Sequence, residues 1–164
     1  MKLKSVALKG KEIALLEITR VTSYKYINKL FFMDFFNGTN YLEKIRQESN
    51  VGGKRNIACA VFQIGNDSGK LIGISGKSTR PGTVDLPTQP FFKTFPIPEG
   101  HSRAYESEYK LLEELASRYG QMPNIEGTVD LYTERPPCAS CSSVIKQFCR
   151  LFPNILLTVN HGRP

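Results

Sequence analysis

The sequence predicts an α/β fold in which a mixed central sheet, led by a β-hairpin, carries helices on its faces. The first observation is a pair of apolar runs, IACAVFQIG and KLIGISGKS, which flank the turn NDSG and predict a hairpin over residues 57–77. The second is the regular alternation of helical and strand patterns after residue 103. Since strand–helix–strand connections in one sheet are right-handed crossovers, the last strands are expected to run mainly parallel.

The N-terminal third of the chain reads as helical. An apolar stripe at helical spacing ends at the turn FNGTN, and Asn40 followed by Glu43 predicts the cap of a second, short helix, YLEKIRQ. We therefore expect a single domain over residues 1–164, in which a helical extension, residues 1–55, packs on a core formed by residues 56–164. The stripe consists of Tyr24, Ile27, Leu30, Phe31 and Phe35.

Four further elements follow the hairpin. Residues 78–103, rich in Pro and Thr, form a connection long enough to be functional or mobile. A helix is then predicted from about residue 104 to 119, closed by Gly120, followed by the strand GTVDLYT. The last two elements are a helix over residues 138–152, closed by Pro153, and the strand ILLTV.

Composition limits the classes of function. Lys plus Arg number 22 against 15 Asp plus Glu, and the formal net charge of +7 favours a polyanionic partner, nucleic acid ahead of an acidic membrane surface. No apolar run approaches the roughly 20 residues of a membrane span. The four cysteines are too sparse for a disulfide-stapled scaffold, and Cys59 and Cys149, among apolar neighbours, are expected to be buried thiols in a reducing, aqueous compartment.

The remaining two cysteines, Cys138 and Cys141, lie one helical turn apart where a helix begins after Pro137. Backbone N–H groups at a helix start favour the thiolate, which is the form that binds a metal, and two thiolates at this spacing can hold one Zn²⁺. A thioredoxin-like redox pair and a structural zinc site with a fourth protein ligand remain open alternatives.

A carboxylate upstream also requires explanation. Glu108 shares the apolar face of its predicted helix, whereas Lys110, Glu113 and Glu114 are expected to point away from that face. A carboxylate on the core side of a helix is costly unless it has a partner or a function. The apolar face is formed by Leu111, Leu112, Leu115 and Tyr119.

Together these residues form a recognisable pattern. The sequence Glu106-Ser107-Glu108 followed by Pro137-Cys138-Ala139-Ser140-Cys141 resembles the ligand-x-Glu and Pro-Cys-x-x-Cys signature of the cytidine deaminase-like superfamily. More narrowly, ESEYKLLEELA and GTVDLYTERPPCASCSSVIKQF resemble the bacterial polymorphic toxin-deaminase branch. The resemblance covers residues 57 to about 160 and implies the three-layer cytidine deaminase-like fold. The superfamily commonly has a fifth strand, so the helical extension is expected to cover part of the sheet here.

The resemblance also implies a mechanism. Cys138 and Cys141 would ligate Zn²⁺, which lowers the pKa of a bound water toward about 7, and Glu108 would carry its proton to the substrate. The third ligand is usually His and, in the toxin branch, often Asp. Glu106 holds that position in this sequence, and His101, in the preceding loop, is the alternative.

The implied reaction is hydrolysis of cytosine to uracil in nucleic acid, DNA before RNA, with single-stranded DNA accepted and duplex DNA a further candidate. Arg103, Tyr105 and Arg135 are expected to bind the substrate near the pocket, and Phe91 and Phe92 to stack on bases, although ordinary loop packing would explain these two equally well. A free-nucleoside deaminase remains the alternative. The implied setting is a monomeric module at the C-terminus of a secreted bacterial toxin, acting in the cytoplasm of a target cell and matched by an immunity protein.

Overall fold

A computed structural model of the protein describes residues 38–96 and 103–162, so the predicted helix around Tyr24–Phe35 lies outside the described residues. The described residues form three helices: α1 (Gly38–Glu48), α2 (Ser107–Tyr119) and α3 (Ala139–Leu151). They also form four strands: β1 (Ile57–Ile64), β2 (Asp67–Ile74), β3 (Gly127–Thr133) and β4 (Ile155–His161). The predicted α/β class and mixed sheet are confirmed.

The sheet has the strand order β2-β1-β3-β4 in the described part of the chain. Strand β1 is antiparallel to both of its neighbours, and β3 and β4 pair in parallel. Strands β2, β3 and β4 therefore all run in one direction, as the alternating helix and strand patterns predicted. The helices α2 and α3, which connect them, must then begin at the same edge of the sheet, where β2 and β3 end.

The hairpin turn lies earlier than predicted. Ile64 pairs with Asp67, so the two turn residues are Gly65 and Asn66, and the expected turn residues Asp67, Ser68 and Gly69 belong to β2. Gly65 has φ +55°, a left-handed conformation that two-residue hairpin loops require and that glycine adopts without a steric penalty. The turn is therefore set by the glycine that ends the first apolar run.

Helices cover both faces of the sheet. Helices α2 and α3 pack on one face, where their apolar side chains meet Ala58 and Ala60 of β1 and Leu131 of β3 in the main core. Helix α1 lies on the other face: Gly38 approaches the ring of Tyr132, and Lys70 of β2 lies 3.9 Å from the ring centre of Tyr41. This three-layer arrangement matches the fold that the resemblance implied, and α1 covers part of the sheet as expected.

The helix boundaries differ from the predictions by a few residues. Asn40 lies inside α1, which begins at Gly38, so it does not cap the helix. Helix α2 begins at Ser107 rather than near residue 104, and its C-cap is Gly120 as predicted. Helix α3 begins at Ala139 with Cys138 as its N-cap, because Cys138 has an extended backbone and its Sγ accepts the N–H of Cys141.

Two charged residues of α2 that were expected to point outward are buried. Lys110 and Glu113 are each 1% exposed: Lys110 lies against the end of β2, and Glu113 lies under the chain that follows β2. The Lys110 Nζ donates to the carbonyl of Ile74 at 3.0 Å, and the Glu113 carboxylate accepts backbone N–H groups from Phe91 and Phe92. The end of β2 thus supplies the partner of Lys110 and the following loop supplies the partners of Glu113, and sequence periodicity cannot register either contact.

Candidate active site

A cavity of about 330 Å³ lies at the edge of the sheet where β2 and β3 end and α2 and α3 begin. This is the edge at which open α/β sheets bind their ligands, and the volume is that of a small-molecule site. Four of its lining residues are potential ligands or proton carriers: Glu106, Glu108, Cys138 and Cys141. Three are cationic: Lys54, Arg103 and Arg135.

The carboxylate of Glu108 is buried, with only 2% of the residue exposed, and it is fully partnered. Its Oε1 accepts hydrogen bonds from Thr133 Oγ1 at 2.8 Å and from Asn56 Nδ2 at 3.1 Å, while Ser107 Oγ donates to Oε2 at 3.1 Å. Burial raises the pKa of Glu108, and the hydrogen bonds from its own backbone and from the Thr133 and Ser107 hydroxyls act in the opposite direction. Three chain segments therefore fix the orientation of one acid, whose Oε2 lies 3.9 Å from Cys141 Sγ.

The two thiols lie on the first turn of α3. Cys138, as the N-cap, is partly accessible, and its Sγ lies 3.4 Å from the backbone nitrogen of Cys141. Cys141 is buried, and burial, together with the nearby Glu108 carboxylate, raises the pKa of its thiol. Cys59 is a buried thiol as expected, whereas Cys149 is exposed because it lies at the outer margin of the face that α3 packs on the sheet.

Glu106 faces the same cavity from the start of α2. It occupies the N-cap position with an extended backbone (φ −74°, ψ 148°), yet its side chain makes no capping hydrogen bond. Instead its carboxylate pairs with the Arg103 guanidinium, Nη1 to Oε1, at 2.5 Å. His101, the alternative third ligand, lies outside the described residues.

The donor set agrees with zinc in type. Two sulfurs and a carboxylate that face one cavity are ligands zinc accepts, and softer or harder metals would favour other sets. Within the described ranges, no three His, Cys, Asp or Glu side chains are yet arranged around one point that could hold a metal ion. Glu106 can accordingly serve as the third ligand only if its side chain turns away from Arg103; otherwise the third ligand is His101.

Two buried polar atoms of the described side chains have no hydrogen-bond partner, Asn56 Oδ1 and Arg103 Nε, and both residues line this cavity. Buried polar atoms without partners are uncommon in folded proteins, and here both face a cavity that can hold water or a ligand. One is an acceptor and the other a donor, which suits a ligand with polar groups of both kinds. Asn56 and Lys54 were not identified from the sequence, because the loop SNVGGKRN carries no spacing motif that singles them out.

The structure brings most of the predicted site residues together. Arg103, Tyr105 and Arg135 line the cavity with the four acids and thiols. Phe91 and Phe92 do not line it. Phe92 is 5% exposed and packs in the core, its ring centre 6.1 Å from that of Phe148, so packing rather than base stacking explains it. Phe91 lies against Gly120, at the opposite end of α2 from Glu108.

A partnered, buried glutamate at the start of one helix, facing a Cys-x-x-Cys pair at the start of the next, defines this α/β protein as a member of the cytidine deaminase-like class. The family model Toxin-deaminase, described as the BURPS668_1122 family of deaminases, matches residues 53–163, and the chain belongs to this family. Its reaction class is therefore hydrolytic deamination. No curated protein sequence matches the chain significantly.

The family assignment also identifies the chain as a deaminase domain of the toxin type. In the part of the chain that the structure describes, no helix has both the length and the apolar character needed to cross a membrane. The family match begins at residue 53 and so does not include α1.

Proposed function

We propose that the protein is a zinc-dependent deaminase that converts cytosine to uracil in DNA, with single-stranded DNA as its main substrate. The observation that carries the proposal is the Glu108 carboxylate, held by three donors inside the cavity with its Oε2 3.9 Å from the Cys141 sulfur. A carboxylate held in one orientation beside a candidate metal ligand is the arrangement that proton transfer in hydrolytic deamination requires.

Each residue of the site has a defined part. Cys138 and Cys141 would hold the zinc ion, with Glu106 or His101 as the third ligand. When bound, zinc supplies the Lewis acidity that makes water a nucleophile at neutral pH. Glu108 takes a proton from that water, delivers it to the ring nitrogen of cytosine, and assists departure of the exocyclic amine. The overall balance is water plus cytosine giving uracil plus ammonia.

The hydrogen bonds around Glu108 support this role. Thr133 and Asn56 both donate to Oε1, whereas Oε2 accepts from Ser107 Oγ and is the oxygen that faces Cys141, so Oε2 is the oxygen we assign to proton transfer. Since the side chain is fixed before substrate enters, little reorientation is needed during the reaction, which is the basis of catalysis by preorganised groups.

The cationic rim favours a polynucleotide over a free nucleoside. Lys54, Arg103 and Arg135 line the cavity, and the whole chain carries a net charge of +7. Nucleic-acid phosphates are the natural partners of such a rim, whereas a nucleoside has no phosphate to bind it. RNA and free cytidine are the alternative substrates.

The proposed setting follows from the family. As a toxin deaminase domain, the protein would act in the cytoplasm of a target cell after delivery as the C-terminal module of a secreted bacterial toxin. It would act as a monomer, and an immunity protein in the producing cell would block it.

The direct test compares four substrates. Purified, zinc-loaded protein is incubated with cytosine-containing single-stranded DNA, duplex DNA, RNA and free cytidine, and uracil is measured in each. We expect the highest rate with single-stranded DNA. Conversion of free cytidine alone would contradict the nucleic-acid assignment, and conversion of RNA alone would move the substrate to RNA.

A further inference from the structure

Residues 90–95 belong to the connection between β2 and α2 and cross α2 and α3. We call this segment the strap. Its first anchor is Glu113 of α2, which is only 1% exposed. The two carboxylate oxygens of Glu113 accept the N–H groups of Phe91 and Phe92, each at 2.8 Å. A buried carboxylate is tolerated when such charge-assisted bonds offset its desolvation, so this acid serves to hold the strap.

Three further contacts continue the strap toward the cavity. The ring of Phe92 packs in the core, and Gln147 of α3 bonds both backbone groups of Lys93, accepting from its N–H at 3.0 Å and donating to its carbonyl at 2.9 Å. Finally the N–H of Phe95 donates to Ser140 Oγ at 3.2 Å. Ser140 is buried in the first turn of α3, between Cys138 and Cys141 in the chain.

These anchors fix the backbone of Phe95 beside the two thiols, yet its side chain is 44% exposed. Ordinary loop packing explains why Phe92 is buried. It does not explain why the ring of Phe95 is exposed although the backbone of Phe95 is fixed by a hydrogen bond. Phe95 does not line the cavity; its backbone is held at Ser140, the residue directly before the cavity-lining Cys141. The Phe95 ring can therefore contact a part of a ligand that lies outside the cavity, next to the part that lies inside it.

We propose that Phe95 is a stacking platform for the nucleotide next to the target cytosine in a single-stranded polynucleotide. The occupant follows from chemistry on the same surface: the rim of Lys54, Arg103 and Arg135 attracts phosphates, and single-stranded nucleic acids bind where a basic track runs beside exposed aromatic rings. The neighbouring base must be unpaired to stack on a side chain. This inference rests on the proposed function. It specifies that the protein distinguishes a polynucleotide from a nucleoside by a neighbouring base, which only the polynucleotide has.

The test compares Phe95→Ala with Phe91→Ala. Phe91 is an ideal control, because it belongs to the same strap and is equally exposed, at 45%, but lies at the far end of α2 against Gly120. In the Glu108→Gln background, fluorescence anisotropy measures binding of a labelled single-stranded oligonucleotide with one cytosine. We expect Phe95→Ala to weaken binding about 5- to 100-fold and Phe91→Ala less than about 2-fold.

Two conservative variants separate stacking from folding. Phe95→Tyr keeps the aromatic ring and is expected to bind like the parent, whereas Phe95→Leu keeps apolar bulk without the ring and is expected to bind like Phe95→Ala. Equal binding by the Leu and Tyr variants, or equal losses for Phe95→Ala and Phe91→Ala, would overturn the inference.

The catalytic readout keeps this inference distinct from the proposed function. With Glu108 intact, Phe95→Ala should raise KM for the oligonucleotide, whereas the control Phe91→Ala should keep the KM of the parent. If the parent converts the oligonucleotide and Phe95→Ala has the same KM, only the role of Phe95 is overturned. If no polynucleotide is bound or converted by the parent, the proposed function and this inference are both overturned.

Discussion

At the residue scale, the site depends on how Glu108 is held. A lone carboxylate in an apolar interior would be costly, but Asn56, Ser107 and Thr133 each donate to it. They come from the start of β1, the start of α2 and the end of β3, so the position of the acid is set by the packing of three elements. Sequence spacing could find Glu108 but not its donors Asn56 and Thr133, because these two residues are distant along the chain.

Thr133→Val tests this network. Valine has the shape of threonine but cannot donate to Glu108 Oε1, so the carboxylate loses one of its two fixed contacts on that oxygen. We expect kcat on the oligonucleotide to fall about 10-fold, the effect of one hydrogen bond of about 1.4 kcal/mol, while KM changes little. Thr128→Val, on the same strand but remote from Glu108, is the control. An unchanged kcat for Thr133→Val would contradict the assigned role of the hydroxyl.

At the scale of elements, the sequence predicted the helices and strands that have a regular apolar periodicity. The strands β1, β3 and β4 and the helices α2 and α3 were recognised to within a few residues, because each carries a regular apolar pattern and clear end signals. The strap was not foreseen. Its anchors Glu113 and Gln147 lie on helix positions that read as surface, and only the tertiary path of a long loop buries Glu113 and brings Lys93 to Gln147. For the same reason the sequence could not choose between base stacking and ordinary packing for Phe92, which the structure places in the core.

Glu113 gives the strap a testable pH dependence. Burial raises its pKa above the usual 4.5, and the N–H donors of Phe91 and Phe92 oppose that shift. The folded protein therefore binds this proton more tightly than the unfolded chain. Its contribution to stability is fully present below pH 4.5 and is lost as the pH rises through the folded pKa.

The measurement is the free energy of unfolding by denaturant at several pH values from about 4.5 upward. Glu113→Gln should remove this part of the pH dependence. The difference in free energy of unfolding between the parent and Glu113→Gln should therefore change with pH. Glu114→Gln, at a half-buried position that pairs with Arg118 and lies away from the strap, should leave the pH dependence as in the parent. Parallel pH curves for the parent and Glu113→Gln would show that Glu113 does not titrate with a raised pKa.

At the scale of the whole molecule, the fold brings the starts of α2 and α3 to one cavity, and a metal held between them would join the two helices. The sequence predicted both halves of this arrangement, since Glu108 and the Cys-x-x-Cys pair each follow a strand that ends at the same edge. It could not choose between Glu106 and His101. In the folded chain Glu106 pairs with Arg103, three residues earlier, so it would have to leave this partner in order to bind a metal.

Zinc binding should therefore stabilise the whole domain. We expect the Tm of metal-stripped protein to rise on addition of zinc, because a ligand that binds only the folded state adds its binding free energy to stability. Cys138→Ser should abolish the rise, while Cys149→Ser, which changes an exposed thiol outside the cavity, should keep it. A zinc-dependent rise that survives in Cys138→Ser would contradict the metal assignment.

The third ligand can be identified in the same experiment. If Glu106 is the ligand, Glu106→Gln will need a higher zinc concentration for the same Tm, and His101→Ala will behave as the parent. The reverse result would assign the ligand to His101. Equal behaviour of both variants and the parent would contradict both candidates.

The central claim is that Glu108 transfers the proton in hydrolysis of cytosine, and one comparison tests it most directly. Parent and Glu108→Gln proteins, shown to hold equal amounts of zinc and to have similar Tm, are incubated with a single-stranded oligonucleotide, and uracil formation is timed. We expect the parent to form uracil and the variant to be slower by at least about 100-fold, the usual contribution of general acid–base catalysis. Equal rates for the two proteins would contradict the account.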